Sequence, residues 1–317
     1  MASSNNAALI KGNSATAQIN VGNSAEQDVA IPNNFELQNN LPLEACQDVA
    51  ASINIKPRLF VIKIGGNVID EEGALQAFLT DFSSITENKI LIHGGGKLAT
   101  KIGIQLGIEP NYVNGRRITD QQTIDLVTMV YGGLVNKKIV ARLQALGSNA
   151  LGLTGADLNI MPANKRPVKE IDFGFVGDVE IEAINTKNLE ILLSNNFTLV
   201  MAPLTHDGNG QILNTNADTI ASALAIALSD IYQVRLIYCF EKMGILENVA
   251  DENSVIPLIT KEKYQQLLKD NKLFDGILPK IDNAFAAIES GVNEVLIGHA
   301  KDLLQNITKT TKGTLIK

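Results

Sequence analysis

Tryptophan is absent from this chain of 317 residues, and aromatic residues make up only 5% of it. A core with so few rings must be built from Ala, Ile, Leu and Val, which suits helices packed on a sheet. Cysteine is nearly absent too: Cys46 and Cys239 are the only two. That excludes a disulfide framework and a CxxC metal pair. The three histidines, His93, His206 and His299, do not have metal-ligand spacing, and no metal site is expected. Positive charge is in deficit, with 27 Lys+Arg against 34 Asp+Glu and a formal net charge of -7. That balance argues against a dedicated nucleic-acid binder. No apolar run approaches the ~18 residues of a spanning helix, so no membrane partner is expected.

Arginine is missing from the first 57 residues, which are rich in Asn, Ala and Ser. They hold no basic segment followed by an apolar one, which argues against a secretory signal; the lack of Arg weakens a transit-peptide reading. A cytoplasmic location is the expectation. Residues 1–57 read as an extension, either disordered or an oligomerisation arm. Cys46, Val49, Ala50 and Ile53 have the spacing of a short apolar helical stripe.

What the chain does have is a pair of glycine clusters, each closing an apolar run. Leu59–Ile64 leads into Gly65-Gly66, with Lys63 entering the turn, and Lys89–Ile92 leads into His93-Gly94-Gly95-Gly96-Lys97. Each run reads as a buried strand followed by a helical pattern. Leu75, Phe78, Leu79, Phe82 and Ile85 mark the first helix, and residues 98–106 the second. Strands alternating with helices imply an α/β fold with a parallel sheet. Glycine turns between strand and helix expose backbone N–H groups to an anion.

Farther along, Asp120 reads as the N-cap of a long helix carrying Ile124, Val127, Val130, Leu134 and Ile139, with Gly147 just past its end. The Gly177-Asp178 pair between residues 173–176 and 179–181 predicts a hairpin turn. Strands are expected over 150–153, 198–202, 234–239, 294–297 and 313–316. An Ala-rich helix is expected over 220–228, and others around 189–193, 264–268 and 281–288.

Neither glycine cluster is a GxGxxG or a Walker A loop. The His-Gly-Gly-Gly string matches an esterase oxyanion motif, but the Gly-x-Ser-x-Gly elbow that chemistry needs is missing, and a serine hydrolase is set aside. Arg116 and Arg117 give the densest positive charge in the first half; Arg117 is suited to bidentate carboxylate binding. Asn214 and Asp218 stand before and within the start of the Ala-rich helix. Lys280 stands at a helix start, unfavourably placed for the dipole unless an anion is near.

Together the KxGG, HGGG, NGxRxT, NxNAD and DGxxxK segments resemble the amino acid kinase superfamily, and within it most closely the N-acetyl-L-glutamate kinases of arginine biosynthesis. The likeness covers roughly residues 58–317. It implies an open three-layer α/β/α sandwich with a mainly parallel sheet. An acylglutamate-binding lobe would span residues 58–203 and an ATP-binding lobe residues 204–317, with a dimer-based assembly. The reaction implied is transfer of the ATP γ-phosphoryl group to the side-chain carboxylate. Mg2+ would ride on the phosphates. By the same resemblance Lys63 and Lys280 flank the moving group, Asp218 holds both lysines, and Gly66 and Gly95 donate N–H groups to it. Gly95, Gly96, Arg117 and Asn214 bind the acylglutamate, with acetyl and succinyl both open as its acyl group. Glu241, Lys242, Met243, Gly244, Ile245 and Leu246 form the nucleotide turn. Relatives commonly carry Thr/Ser-Asp where Phe240-Glu241 stands here. A non-catalytic amino-acid or nucleotide sensor on the same fold is the alternative of another class.

Overall fold

A computed structural model describes residues 56–317, except 114, 249, 271 and 274–276. The expected stripe at Cys46–Ile53 and residues 1–55 of the extension lie outside the described residues.

An eight-stranded sheet forms the middle layer, in the order Leu258–Ile259, Thr314–Ile316, Glu294–His299, Gln233–Phe240, Arg58–Ile64, Asn88–His93, Thr198–Met201 and Ala150–Leu153. All neighbouring pairs are parallel except Thr314–Ile316 against Glu294–His299. Helices cover both faces, so the strands are buried on both sides, and their sequences run continuously apolar instead of alternating.

Strand Arg58–Ile64 shows how the period of two distributes residues. Leu59 and Val61 enter one core with the Ala-rich helix Ala217–Leu228 and the helix Leu278–Glu289. Phe60, Ile62 and Ile64 enter the other, with the helix Glu72–Ser84 and the long helical segment beginning at Gln121. Lys63 follows Val61 by two, so it emerges on the face of helix Ala217–Leu228. Small Ala side chains there let the helix lie close to the sheet.

The chain leaves Arg58–Ile64 for the strand on one side, Asn88–His93, and Gln233–Phe240 lies on its other side. In open α/β sheets a crevice for ligands forms beyond the carboxyl ends of strands at such a divergence. Lys63, His93, Phe240 and His299 all lie at or next to those strand ends.

Asp120 caps its helix as expected, accepting from Thr123 N at 2.8 Å. The expected long helix is continuous but not uniform: α-helix over Gln121–Val127, π-helix over Thr128–Val135, then α-helix over Asn136–Ala145. Gly147 follows it at φ +81°.

The hairpin expected at Gly177-Asp178 is corrected. Gly177–Val179 is itself a strand, paired antiparallel with Ala163–Lys165. Gly177 serves close approach, not a turn: a Cβ on it would lie 2.5 Å from Thr205 Oγ1 and 2.7 Å from Thr215 Oγ1. A true hairpin forms farther on, Leu204–His206 with Ile212–Asn214, with residues 207–211 as its tip.

Candidate active site

The two glycine turns touch. Gly94 N donates to Ile64 O at 3.2 Å, and a Cβ on Gly94 would lie 3.7 Å from Gly66 N. Lys97, at the end of the second cluster, donates to Asn67 Oδ1 beside the first. Gly66 begins the helix Gly66–Asp70 and Gly96 begins the helix Gly96–Gln105. Neither helix has a side-chain cap at its N-terminus, so orphan N–H groups are left for another partner. Gly95 adopts φ +151°, and a Cβ there would meet the Tyr131 ring at 2.9 Å. Only glycine lets this turn lie against that ring.

His93 supports the second turn from below. It is fully buried, with Nδ1 2.7 Å from Gly94 O and Nε2 3.2 Å from Asn136 Nδ2. Asn136 Nδ2 also donates to Val200 O at 2.9 Å. Two acceptors around one amide fix the ring: Nε2 accepts from Asn136, so Nδ1 carries the proton and donates to Gly94 O. Burial, the largest effect, pushes the imidazole pKa down to about 4. It is a neutral structural group at pH 7.

Beyond the second turn is a cavity of about 390 Å³ lined by Gly94–Gly96, Arg117, Tyr131, Asn214 and Ala217 among others. Arg117 is 8% exposed. Its Nη2 donates to Gly96 O at 3.1 Å, to Thr100 Oγ1 at 2.7 Å and to Tyr112 OH. The guanidinium also stacks over the Tyr112 ring, 4.7 Å from its centroid. Strand pairing of Tyr112 with Arg117 creates that contact. Asn214 ends its strand and donates to Thr119 Oγ1 at 3.1 Å. Arg116 and Arg166 line the same cavity; Arg166 is paired with Asp178 through Nε at 3.0 Å.

On the other side of the first turn is a second cavity, about 340 Å³. Gly65, Gly66, Phe240, Glu241, Lys242, Gly244, Ile245, Leu246 and Lys280 contribute to its wall; Met243 is not among its lining residues. The loop after Phe240 is tied to the C-terminal strand, because Ile245 N donates to Thr314 Oγ1 at 2.8 Å. A Cβ on Gly244 would lie 2.7 Å from that same oxygen.

Between these cavities stand the charges. Lys63 Nζ lies 2.7 Å from Asp218 Oδ1. Asn216 caps the helix Ala217–Leu228 by accepting from Asp218 N at 2.8 Å, which sets the aspartate in the first turn. Lys280 sits in the first turn of Leu278–Glu289, its Nζ 3.7 Å from the centroid of the Phe240 ring. Burial lowers the Lys280 pKa, Asp218 raises it and Lys63 lowers it. Asp218 therefore acts on both lysines through its field, but its ion pair is with Lys63. Among the described residues no group of His, Cys, Asp and Glu could hold a metal ion.

Sequence reasoning missed Tyr112, Thr100 and Tyr131, and marked Phe240 only as a departure from relatives. Tyr112, five residues before Arg117, carried a weak signal, since an aromatic across a tight turn from an arginine is placed to stack on it. Tyr131 carried none: it reads as one more apolar residue of a helix.

Residues 58–299 match the amino acid kinase family. The chain is 53% identical over 263 residues to an acetylglutamate kinase of Bacteroides thetaiotaomicron, covering 83% of this chain and 100% of that one. It is 54% identical over 259 residues to an acetylglutamate kinase of Cytophaga hutchinsonii, covering 81% and 97%. Its fold resembles that of an N-acetylglutamate synthase from Neisseria gonorrhoeae solved with coenzyme A and N-acetyl-glutamate. The TM-score is 0.69 at 22% identity, covering 86% of this chain and 62% of the synthase, so this chain spans about three fifths of the synthase's length. With its motifs in order on a shared fold and about half of its aligned residues shared with kinases matched almost end to end, the chain belongs to the amino acid kinase family.

Proposed function

We propose that this chain transfers the γ-phosphoryl group of ATP to the side-chain carboxylate of N-acetyl-L-glutamate. The product is N-acetyl-L-glutamyl 5-phosphate, in the second step of arginine biosynthesis. The observation that carries the reading is the juxtaposition of Lys63, Asp218 and Lys280. Lys280 lines one cavity, and Ala217, next to Asp218, lines the other.

The acylglutamate occupies the cavity of Arg117 and Asn214, its α-carboxylate on Arg117. ATP, with Mg2+ on its phosphates, occupies the cavity of Glu241–Leu246. Residues 58–203 then serve as the acylglutamate-binding lobe and 204–317 as the ATP-binding lobe. The nucleophile is a carboxylate, ionised at pH 7, so no general base is needed. One carboxylate oxygen forms a bond to the γ-phosphorus as the bond from that phosphorus to the bridging oxygen breaks, and ADP leaves with the electron pair. Two anions must be brought together, so catalysis is positioning and charge stabilisation. Lys63 and Lys280 supply the positive charge, and Gly66 and Gly95 N–H groups are donors to phosphoryl oxygens. Preorganised donors of this kind are each worth about 3–4 kcal/mol. No helix among the described residues is long and apolar enough to cross a membrane. The enzyme works in the cytoplasm as a homodimer or dimer-based oligomer.

A second acceptor, N-succinyl-L-glutamate, has one observation in its favour. Arg116 lines the acyl cavity in addition to Arg117, a cation for which an acetyl group has no carboxylate. A coupled assay of ADP release with N-acetyl-L-glutamate, N-succinyl-L-glutamate, L-aspartate and L-glutamate tests both. Turnover with a free amino acid alone would refute the acylglutamate reading. ATP and acylglutamate binding without turnover would make the chain a sensor.

A further inference from the structure

Phe240 is the last residue of strand Gln233–Phe240, half-buried at the end of the sheet. Its ring meets both lysines: Lys280 Nζ is 3.7 Å and Lys63 Nζ 5.7 Å from the ring centroid. It also stacks on Tyr238, with centroids 6.2 Å apart and planes at 27°. The ring lines both the nucleotide cavity and a smaller one shared by Asp218, Tyr238, Lys280 and Asn283.

The two lysines are anchored differently. Lys63 has a carboxylate, Asp218, at 2.7 Å. Lys280 has no ion pair among the described residues. Partial burial is the largest effect against its charge; Asp218 favours the charge through its field without pairing with it, while Lys63 and the positive end of its own helix disfavour it. Among these groups the ring face of Phe240 is the one the ammonium rests on, 3.7 Å from its centroid.

We infer that Phe240 is a positioning residue, a π platform that holds Lys280 beside Lys63 while leaving its charge unspent. The inference rests on the kinase reading for the task of the two lysines. A carboxylate in this place would hold Lys280 more tightly but neutralise it. The negative face of a ring attracts a cation through its quadrupole without adding net charge. The attraction is also weaker than a charge-assisted hydrogen bond to phosphate, so the ammonium can turn from ring to phosphoryl oxygen as charge develops there. Stacking on Tyr238 fixes the ring plane, and with it the direction from which the ammonium approaches.

Fluorination at Phe240 tests this, because each fluorine weakens the ring's negative face while nearly keeping its shape. We expect kcat to fall stepwise through mono-, di- and trifluoro-phenylalanine, about tenfold across the series. KM for N-acetyl-L-glutamate and the melting temperature should stay constant. Phe240→Tyr, which keeps the negative ring face, should retain more kcat than Phe240→Leu, which should fall with the trifluoro protein. A flat series overturns the inference. So does a change confined to KM for ATP, which would make the ring a wall of the nucleotide site. A second readout needs no turnover: the Lys280 ε-protons in 13C-lysine-labelled protein, assigned by their loss in Lys280→Arg. Ring current should shift them upfield in the wild type and release them in Phe240→Leu; unshifted protons in the wild type overturn the platform. Wild-type protein without turnover on acylglutamates would instead count against the kinase reading.

Discussion

Acid should loosen this protein through His93, and the size of the effect can be worked from its surroundings. The ring is fully buried, with a pKa of about 4 in the fold against an ordinary 6.5. Between those values the unfolded chain binds a proton that the folded chain refuses. The unfolded state therefore gains as pH falls. This stability is fully present above pH 6.5 and is lost progressively as pH drops toward 4. The full difference is about 3 kcal/mol, of which about 2 kcal/mol falls between pH 7 and pH 5. The geometry agrees in sign, because a proton on Nε2 would face the amide donor of Asn136, which also bonds Val200 O. The assay is urea unfolding at pH 7, 6 and 5, comparing wild type with His93→Asn. The asparagine amide can still donate to Gly94 O but does not titrate, so carboxylate effects cancel in the difference. The advantage of wild type over the variant should shrink by about 2 kcal/mol from pH 7 to pH 5. An advantage that stays constant would mean that His93 takes up its proton in the fold as readily as in the unfolded chain, and one that grows would mean that it is charged in the fold; either would refute the neutral buried ring.

Gly95→Ala should cost about 1–3 kcal/mol in stability, from the φ of +151° and the contact with Tyr131, and should raise KM for the acylglutamate at least tenfold. Gly107→Ala, at φ +75° with open space around it, is the control and should leave KM unchanged. Asp218→Asn should lower kcat by roughly 10–100-fold through loss of the Lys63 anchor. Its melting temperature should barely move, since a partly exposed ion pair contributes at most about 1 kcal/mol. Lys89→Met should destabilise by about 1–3 kcal/mol in urea unfolding without changing kcat. Lys89 Nζ donates to Phe82 O, Ser83 O and Ile85 O, closing the end of the helix Glu72–Ser84. Methionine leaves those carbonyls without it.

The fold was readable wherever periodicity and glycine act locally. The apolar runs at Leu59 and Lys89, the Ala-rich helix and the Asp120 cap all stand as their residues imply. Gly177 misled because a glycine needed for close approach looks, in sequence, like a glycine needed for a turn. The thing it makes room for, the Thr205–Thr215 pair, comes from elsewhere in the chain. Lys63 and Asp218 could be singled out by their motifs, and the period of the strand carries Lys63 to the aspartate's helix. The Phe240 contact was hidden, because whether a lysine rests on a ring or a carboxylate depends on how two strand ends and a helix end converge. Arg117 shows the same limit: its suitability for a carboxylate was legible, but not the Thr100 and Tyr112 oxygens that brace it.

The π-helical stretch Thr128–Val135 bears on how this gene can change length. A π turn holds more residues than an α turn over a similar rise, so removing one residue there relaxes the backbone toward a regular helix. In the α-helical parts on either side a deletion would rotate everything beyond it by about 100°, but in the π stretch the change of turn absorbs it. Tyr131, against Gly95, and Asn136, against His93, stand on this stretch and at its exit, so both can keep their places when the residue lost lies between them. Single-residue deletions should therefore be tolerated between 132 and 135 more often than in the α-helical stretch Asn136–Ala145, which a deletion-scanning library selected for growth without arginine would reveal.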